Sequence, residues 1–149
     1  LVVFLLIVFA AAAIGSLAGP AGGGQWYDTL TKPALNPPSW VFGPVWTLLY
    51  LLMAISAWLV WRQKPVPGLT AAMVAFGVQL ALNAAWSPLF FGLHRPLWAL
   101  YDLLALWAAL LVTVVLFFRI RPLAGWLMIP YLLWATFAAY LNIMIVRLN

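Results

Sequence analysis

Four residues on one stretch have the types and spacing to recognise a ligand. Gln79, Asn83, Trp86 and Phe90 fall at i, i+4, i+7 and i+11, which is one face of a helix. Two amides able to orient a polar edge are followed by two rings able to stack on a flat apolar surface. Trp134, Ala138 and Asn142 pair a ring with an amide again at i, i+4 and i+8, and Trp46, Tyr50, Met53 and Ala57 share one face of a further stretch. Aromatic walls with a few amides match the usual pocket for a small molecule. Equipment for other chemistry is thin. The chain has no cysteine and one histidine, His94, which excludes a thiolate metal site and argues against a histidine-rich one. No nucleophile is paired with a base. Asp102 is the one acid inside an apolar run. Such a residue is a functional candidate by default; the competing reading is a structural hydrogen bond, or a pair with Arg95 seven residues earlier.

The bland readings of these residues are concrete. Gln and Asn within membrane helices often only hydrogen-bond neighbouring helices. Trp58, Trp61, Trp98 and Trp126 sit at the ends of apolar runs beside charges or turns, where interfacial-belt anchoring explains them. Trp134 escapes that explanation, being about 18 Å into its helix at 1.5 Å per residue. Asp102 lies about 10 Å into its own helix.

The elements that must position these groups follow from composition. The chain is 68% hydrophobic and 6% charged over 149 residues, with a mean hydropathy of +1.11. Soluble domains are about a quarter charged, so this is an integral membrane protein in the lipid bilayer, and one domain suffices for its length. Its seven Lys and Arg are scattered at the ends of apolar runs, not clustered as a nucleic-acid surface requires. Five spanning helices are expected over about 1–18, 44–62, 69–91, 96–118 and 122–147. The first lacks the basic leader region of a signal peptide. Pro44, Pro96 and Pro122 suit first helical turns, and Pro130 should kink the fifth helix. The fold class is thus all-α, a membrane bundle with a long ordered loop over 19–43. That loop is rich in proline and aromatics, Tyr27 and Trp40 among them, and reads as a lid over one end of the bundle. The lidded side carries Lys32, Arg95 and Arg147 against Arg62, Lys64, Arg119 and Arg121 on the other, too even a split to set orientation. No internal repeat supports an inverted-repeat transporter.

The residues also resemble a family. The run Trp26-Tyr27-Asp28, Lys32-Pro33, Pro37-Pro38, Trp40, Trp46-Thr47 and Leu49-Tyr50 resembles the tryptophan-rich sensory protein or translocator protein family, the peripheral-type benzodiazepine receptors. Gln79 to Asn83, Trp86, Pro88 and Phe90 to Gly92 agree, as do Asp102 and the stretch Pro130-Tyr131-Leu132, Trp134, Ala138 and Leu141-Asn142. Four such stretches, in order on five helices, are specific.

The resemblance implies a five-helix membrane protein, commonly a homodimer, that binds porphyrins, sterols such as cholesterol, and benzodiazepine-type drugs. It places Trp46, Tyr50, Asn83, Phe90, Trp134 and Ala138 in the pocket wall, with Tyr27 and Trp40 contributed by the lid. Gln79, Trp86 and Asn142 join them by helical spacing. Should porphyrin be degraded, Trp46 and Trp134 stand at the matching tryptophan positions and carry the catalytic role. The chain departs from the family in one respect. The sterol-recognition pattern expected at the end of the fifth helix is broken, because Leu133 to Tyr140 and Tyr140 to Arg147 each enclose six residues. A reversed pattern, Arg95, Tyr101 and Leu103, does match.

Three function classes rank in order. The first is a receptor or sensor for a flat hydrophobic ligand, a tetrapyrrole before a sterol, held by packing with no metal and no required cofactor. The second is a porphyrin-degrading enzyme, which would lean on the pigment's own chemistry. The third is a tetrapyrrole or sterol transporter. The expected location is a bacterial envelope membrane.

Overall fold

A computed structural model of the chain describes residues 1–16, 30–32 and 39–149. Among the described residues there are five α-helices and no strand: α1 (Val2–Ser16), α2 (Ser39–Trp61), α3 (Leu69–Ser87), α4 (Pro96–Ile120) and α5 (Pro122–Leu148). Prolines set the boundaries. Pro96 and Pro122 open α4 and α5, where a missing N–H costs nothing because the first turn has no internal acceptor for it. Arg121 alone separates these two helices, in extended backbone. Gly68 precedes α3 with φ +83, a left-handed conformation that a side chain would strain. α5 continues as helix through Pro130.

Two boundaries differ from the sequence reading. α2 starts at Ser39, five residues ahead of the expected Pro44. Proline at the first helical position is a preference and not a requirement; Pro44 removes only the N–H that would reach the Trp40 carbonyl. Thr47 adds a bond to the turn, its hydroxyl donating to the Gly43 carbonyl at 2.9 Å. Trp40 therefore rides on the first turn of α2, not on a loop. Of the rest of the expected lid, 30–32 are described, whereas 19–29, including Tyr27, and 33–38 lie outside the described residues. The second difference is at the end of α3, where α-helix gives way at Pro88 to a wider π turn, Pro88–Gly92. Pro88 cannot donate to the Ala84 carbonyl, so the ladder loosens there. The Leu93 amide closes the turn on the Pro88 carbonyl at 2.8 Å.

The helices close a ring. α1 packs on α2 and α3, α2 on α5, α5 on α4, and α4 on α3. The core inside the ring is Met53, Ala57, Val60, Phe76, Leu110, Phe117, Met128 and Tyr131, with Val8 reaching in from α1. Outward residues are as apolar as inward ones: Leu6, Val74, Leu111 and Leu133 are all exposed. Water would not tolerate such a surface, but hydrocarbon does, since a helix bonds its backbone groups internally. Four helices are long and apolar enough to cross a membrane, covering Gly43–Trp61, Leu69–Phe90, Pro96–Ile120 and Pro122–Leu148; Val2–Ile14 is a shorter apolar helix. The protein is an integral, multi-pass membrane protein.

Short contacts fix the packing at the end away from the candidate site. The Ser56 hydroxyl donates to the Ala124 carbonyl at 2.7 Å and pins α2 to the start of α5. Phe76 stacks on Phe117 at 6.0 Å. The Phe118 ring lies directly over Gly125, where any Cβ would overlap it. Cations cover the tryptophans at this end: Lys64 lies 3.1 Å above the Trp61 ring and Arg62 4.7 Å above that of Trp58. Aromatic rings under cations at helix ends are what a membrane–water interface selects.

Candidate functional site

On α2, Trp46, Tyr50 and Met53 follow one another at helical spacing and face α3 and α5. On α3, Gln79 and Asn83 are buried among them, Gln79 wholly so. Two apolar helices would slide freely; these side chains fix their register. The Tyr50 hydroxyl donates to Asn83 Oδ1 at 2.7 Å, and Asn83 Nδ2 donates to the Tyr131 hydroxyl at 2.6 Å. Tyr131 in turn donates to Gln79 Oε1 at 2.9 Å. Gln79 Nε2 points at the Met53 sulfur at 3.7 Å, a weak acceptor. One relay thus joins α2, α3 and α5 inside the bundle.

Aromatic rings gather beside it. Trp46 lies 5.6 Å from Tyr50, 6.1 Å from Tyr131 and 6.4 Å from Trp134 between ring centres, edge-on to the last two. Edge-to-face geometry sets the positive rim of one ring against the negative face of another. Phe9 of α1 meets Tyr50 at 6.1 Å. Trp46 and Trp134 are part-buried, so this cluster borders the core without being sealed in it.

A second cluster lies toward the end of α3. Trp86 stacks on Phe90 at 5.0 Å and 21°. The Trp86 indole N–H donates to Asn142 Oδ1 at 3.0 Å, and Asn142 Nδ2 donates to the Pro96 carbonyl at 3.0 Å, binding α3, α4 and α5 together. Phe90, Ala99 and Ile145 form a small buried core of their own, with Leu30, Trp86 and Leu89 packed on it.

The sequence-derived residues therefore divide. Trp46, Tyr50, Gln79, Asn83 and Trp134 meet in the first cluster; Trp86, Phe90 and Asn142 meet in the second. Ala138 is half-buried on α5. The Trp40 side chain and all of Tyr27 lie outside the described residues. Tyr131 was missed as a site residue, although it is the hub of the relay. A signal existed: Tyr131, Ala135, Ala138 and Asn142 share a face, and a tyrosine in mid-membrane needs a partner for its hydroxyl. The amides also act differently from the simplest expectation. The oxygens of Gln79 and Asn83 accept from tyrosines, Asn83 Nδ2 donates to one, and the Asn142 oxygen accepts from Trp86, so the amides orient rings.

Asp102 is half-buried on α4. Its Oδ2 is buried and has no hydrogen-bond partner among the described residues, so Arg95 does not supply one. No cluster of three or more metal-ligating side chains occurs among the described residues. A groove of about 340 Å³ between α4 and α5 is lined by Leu104, Trp107, Thr136, Ala139, Tyr140 and Ile143. None of the sequence-derived site residues lines it.

Comparison with known proteins bears on the whole chain. The sequence model of the TspO/MBR family matches residues 3–148. The Tryptophan-rich protein TspO of Chlorobaculum tepidum is 40% identical over 139 residues, 91% of this chain and 86% of its own. The Tryptophan-rich sensory protein of Cereibacter sphaeroides is 41% identical over 146 residues, 98% of this chain and 89% of its own. The Translocator protein of Homo sapiens is 43% identical over 140 residues, 91% of this chain and 82% of its own. With relatives in bacteria and in human, the likeness singles out no one membrane. Because the agreement runs through every described helix and is not confined to one motif, the chain belongs to the TspO/MBR family of membrane proteins.

Proposed function

We propose that the protein is a membrane receptor for a flat hydrophobic ligand, a tetrapyrrole first, with sterols and benzodiazepine-type molecules as further candidates. The observation that carries this reading is the Trp46 cluster: four rings from α2 and α5 meet, two of them tyrosines held by a polar relay to the buried Gln79 and Asn83. The rings offer faces and edges for stacking. The relay makes them rigid, so little side-chain entropy remains to be lost on binding. The same pairing of rings and amides recurs at Trp86, Phe90 and Asn142, which extends the recognition surface along α3. The relatives' names speak of sensing and translocation, and either begins with a ligand held within the membrane.

Titrating the purified protein in lipid nanodiscs with protoporphyrin IX, while following tryptophan fluorescence, tests the reading. Saturable one-to-one quenching that Trp46→Ala abolishes and the exposed-belt variant Trp98→Ala leaves intact supports it. Quenching that rises without saturation, equally in both variants, is partition into lipid and refutes it.

A further inference from the structure

The strongest unexplained feature lies 118 residues apart in the chain. The Thr31 amide donates to Asn149 Oδ1 at 3.0 Å, and Asn149 Nδ2 donates to the Thr31 carbonyl at 2.9 Å. One carboxamide thus satisfies both backbone polar groups of one residue, as a neighbouring strand would. The second hydrogen on Nδ2 goes to the Ile145 carbonyl at 2.9 Å, one turn back on α5. All three strong interactions match in polarity. Reversing the amide would set oxygen against two carbonyls and nitrogen against an N–H, so its orientation is determined.

The residues on either side of Thr31 are held as well. Leu30 packs on the core of Phe90, Ala99 and Ile145, beside Trp86 and Leu89. Its carbonyl accepts from Lys32 Nζ at 3.2 Å. Asn142 and Ile145 on α5 and Asn149 at its C-cap fall at i, i+3 and i+7, one face of the helix continued to its cap. That face ties Trp86 through Asn142, seats Leu30 on Ile145 and grips Thr31 through Asn149. Exposed hydrogen bonds are individually weak because water competes for them. Here an apolar seat holds Leu30 in place, and a single side chain closes two bonds to Thr31 at once.

We propose that Asn149 is a positioning residue for the second cluster of the candidate site: it clamps the Thr31 backbone and so holds Leu30 on the Trp86–Phe90 end of the bundle. The link to binding rests on the receptor reading; the clamp itself does not. Aspartate at this position would keep the acceptor for the Thr31 amide. It would also lose both donated bonds and set a carboxylate against two carbonyls.

The test uses the full chain in nanodiscs and three measurements. Amide hydrogen exchange at Thr31, resolved by NMR without pigment, reports the clamp. Stopped-flow release of protoporphyrin IX reports its effect on binding, and thermal loss of helical circular dichroism reports the bundle. Asn149→Ala should raise exchange at Thr31 on the order of tenfold, the scale of losing one or two modest hydrogen bonds. Pigment release should speed several-fold while helix melting stays unchanged, and Asn149→Asp, which keeps the acceptor but loses both donated bonds, should speed release as well. Unchanged exchange at Thr31 overturns the clamp. Faster exchange with unchanged release overturns its positioning role. A wild-type protein that takes up no protoporphyrin IX sinks the receptor reading and with it the positioning role, whereas the exchange measurement still decides the clamp.

Discussion

Asn83 Nδ2 lies 2.6 Å from the Tyr131 hydroxyl, joining α3 to α5 at the centre of the bundle. The same tyrosine donates a hydrogen bond from its hydroxyl to Gln79 Oε1 at 2.9 Å. Tyr131→Phe would strand both amides in a low-dielectric interior. An average interhelical hydrogen bond in a membrane protein contributes about 0.6 kcal/mol, but an orphaned buried polar group costs about 1–3 kcal/mol. The expected loss for Tyr131→Phe is in the second range, read as lowered stability in denaturant titration. Combining it with Asn83→Leu should cost less than the sum of the two, because each removes the other's stranded partner. Strict additivity would mean that the relay is not a unit.

Binding should follow the rings. Trp134→Ala and Asn83→Ala should each weaken protoporphyrin IX binding by about 1–3 kcal/mol, the range for losing an anchor contact or the polar group that orients one. Trp98 is 60% exposed at a helix end, and Trp98→Ala should change affinity far less. Fluorescence titration of the three variants side by side measures the contrast; equal losses would remove the Trp46 cluster from the account.

Gly125 is required where Phe118 covers it. A methyl group there overlaps the ring, and overpacking of this kind costs about 1–3 kcal/mol. Gly125→Ala should lower the thermal midpoint, and adding Phe118→Ala should recover part of the loss. The Phe118 ring also meets Trp126 edge-on at 5.2 Å, so recovery should be incomplete. If the double variant is less stable than Gly125→Ala alone, steric overlap is not the cause.

Asn142 should govern the order of the π turn. Its carboxamide bridges the Trp86 indole and the Pro96 carbonyl, which flank Pro88–Gly92 on either side. Asn142→Leu keeps the bulk and removes both bonds. Exchange of the Leu93 amide, which closes the turn on Pro88, should then rise, while exchange in the middle of α4 stays slow. A rise spread over the whole bundle would point to general destabilisation instead.

What was legible in the sequence follows from how a membrane constrains a chain. Hydrocarbon demands long apolar helices with their backbone groups bonded internally. Composition, proline positions and 3.6-residue spacing therefore predicted the five helices, the amide–aromatic stripes on α3 and α5, and the aromatic face of α2 as well. The start of α2 was misplaced because Pro44 is tolerated within a helix as well as at its first position.

Partner choice was not legible. That Asn83 binds two tyrosines, that Tyr131 is the hub, and that Asp102 takes no hydrogen bond from Arg95 at Oδ2 all depend on how helices rotate and slide against one another. A hydrogen bond tolerates only a few tenths of an ångström, whereas an apolar stripe tolerates a wide arc of rotation. Leu30 and Asn149 show the same limit: only the closed ring of helices brings Thr31 within 3.0 Å of a side chain 118 residues away. The sequence by itself determined class, spans and faces, because these are one-dimensional properties of apolar length and period. The tertiary structure alone decided which polar atoms meet, because that depends on packing in three dimensions.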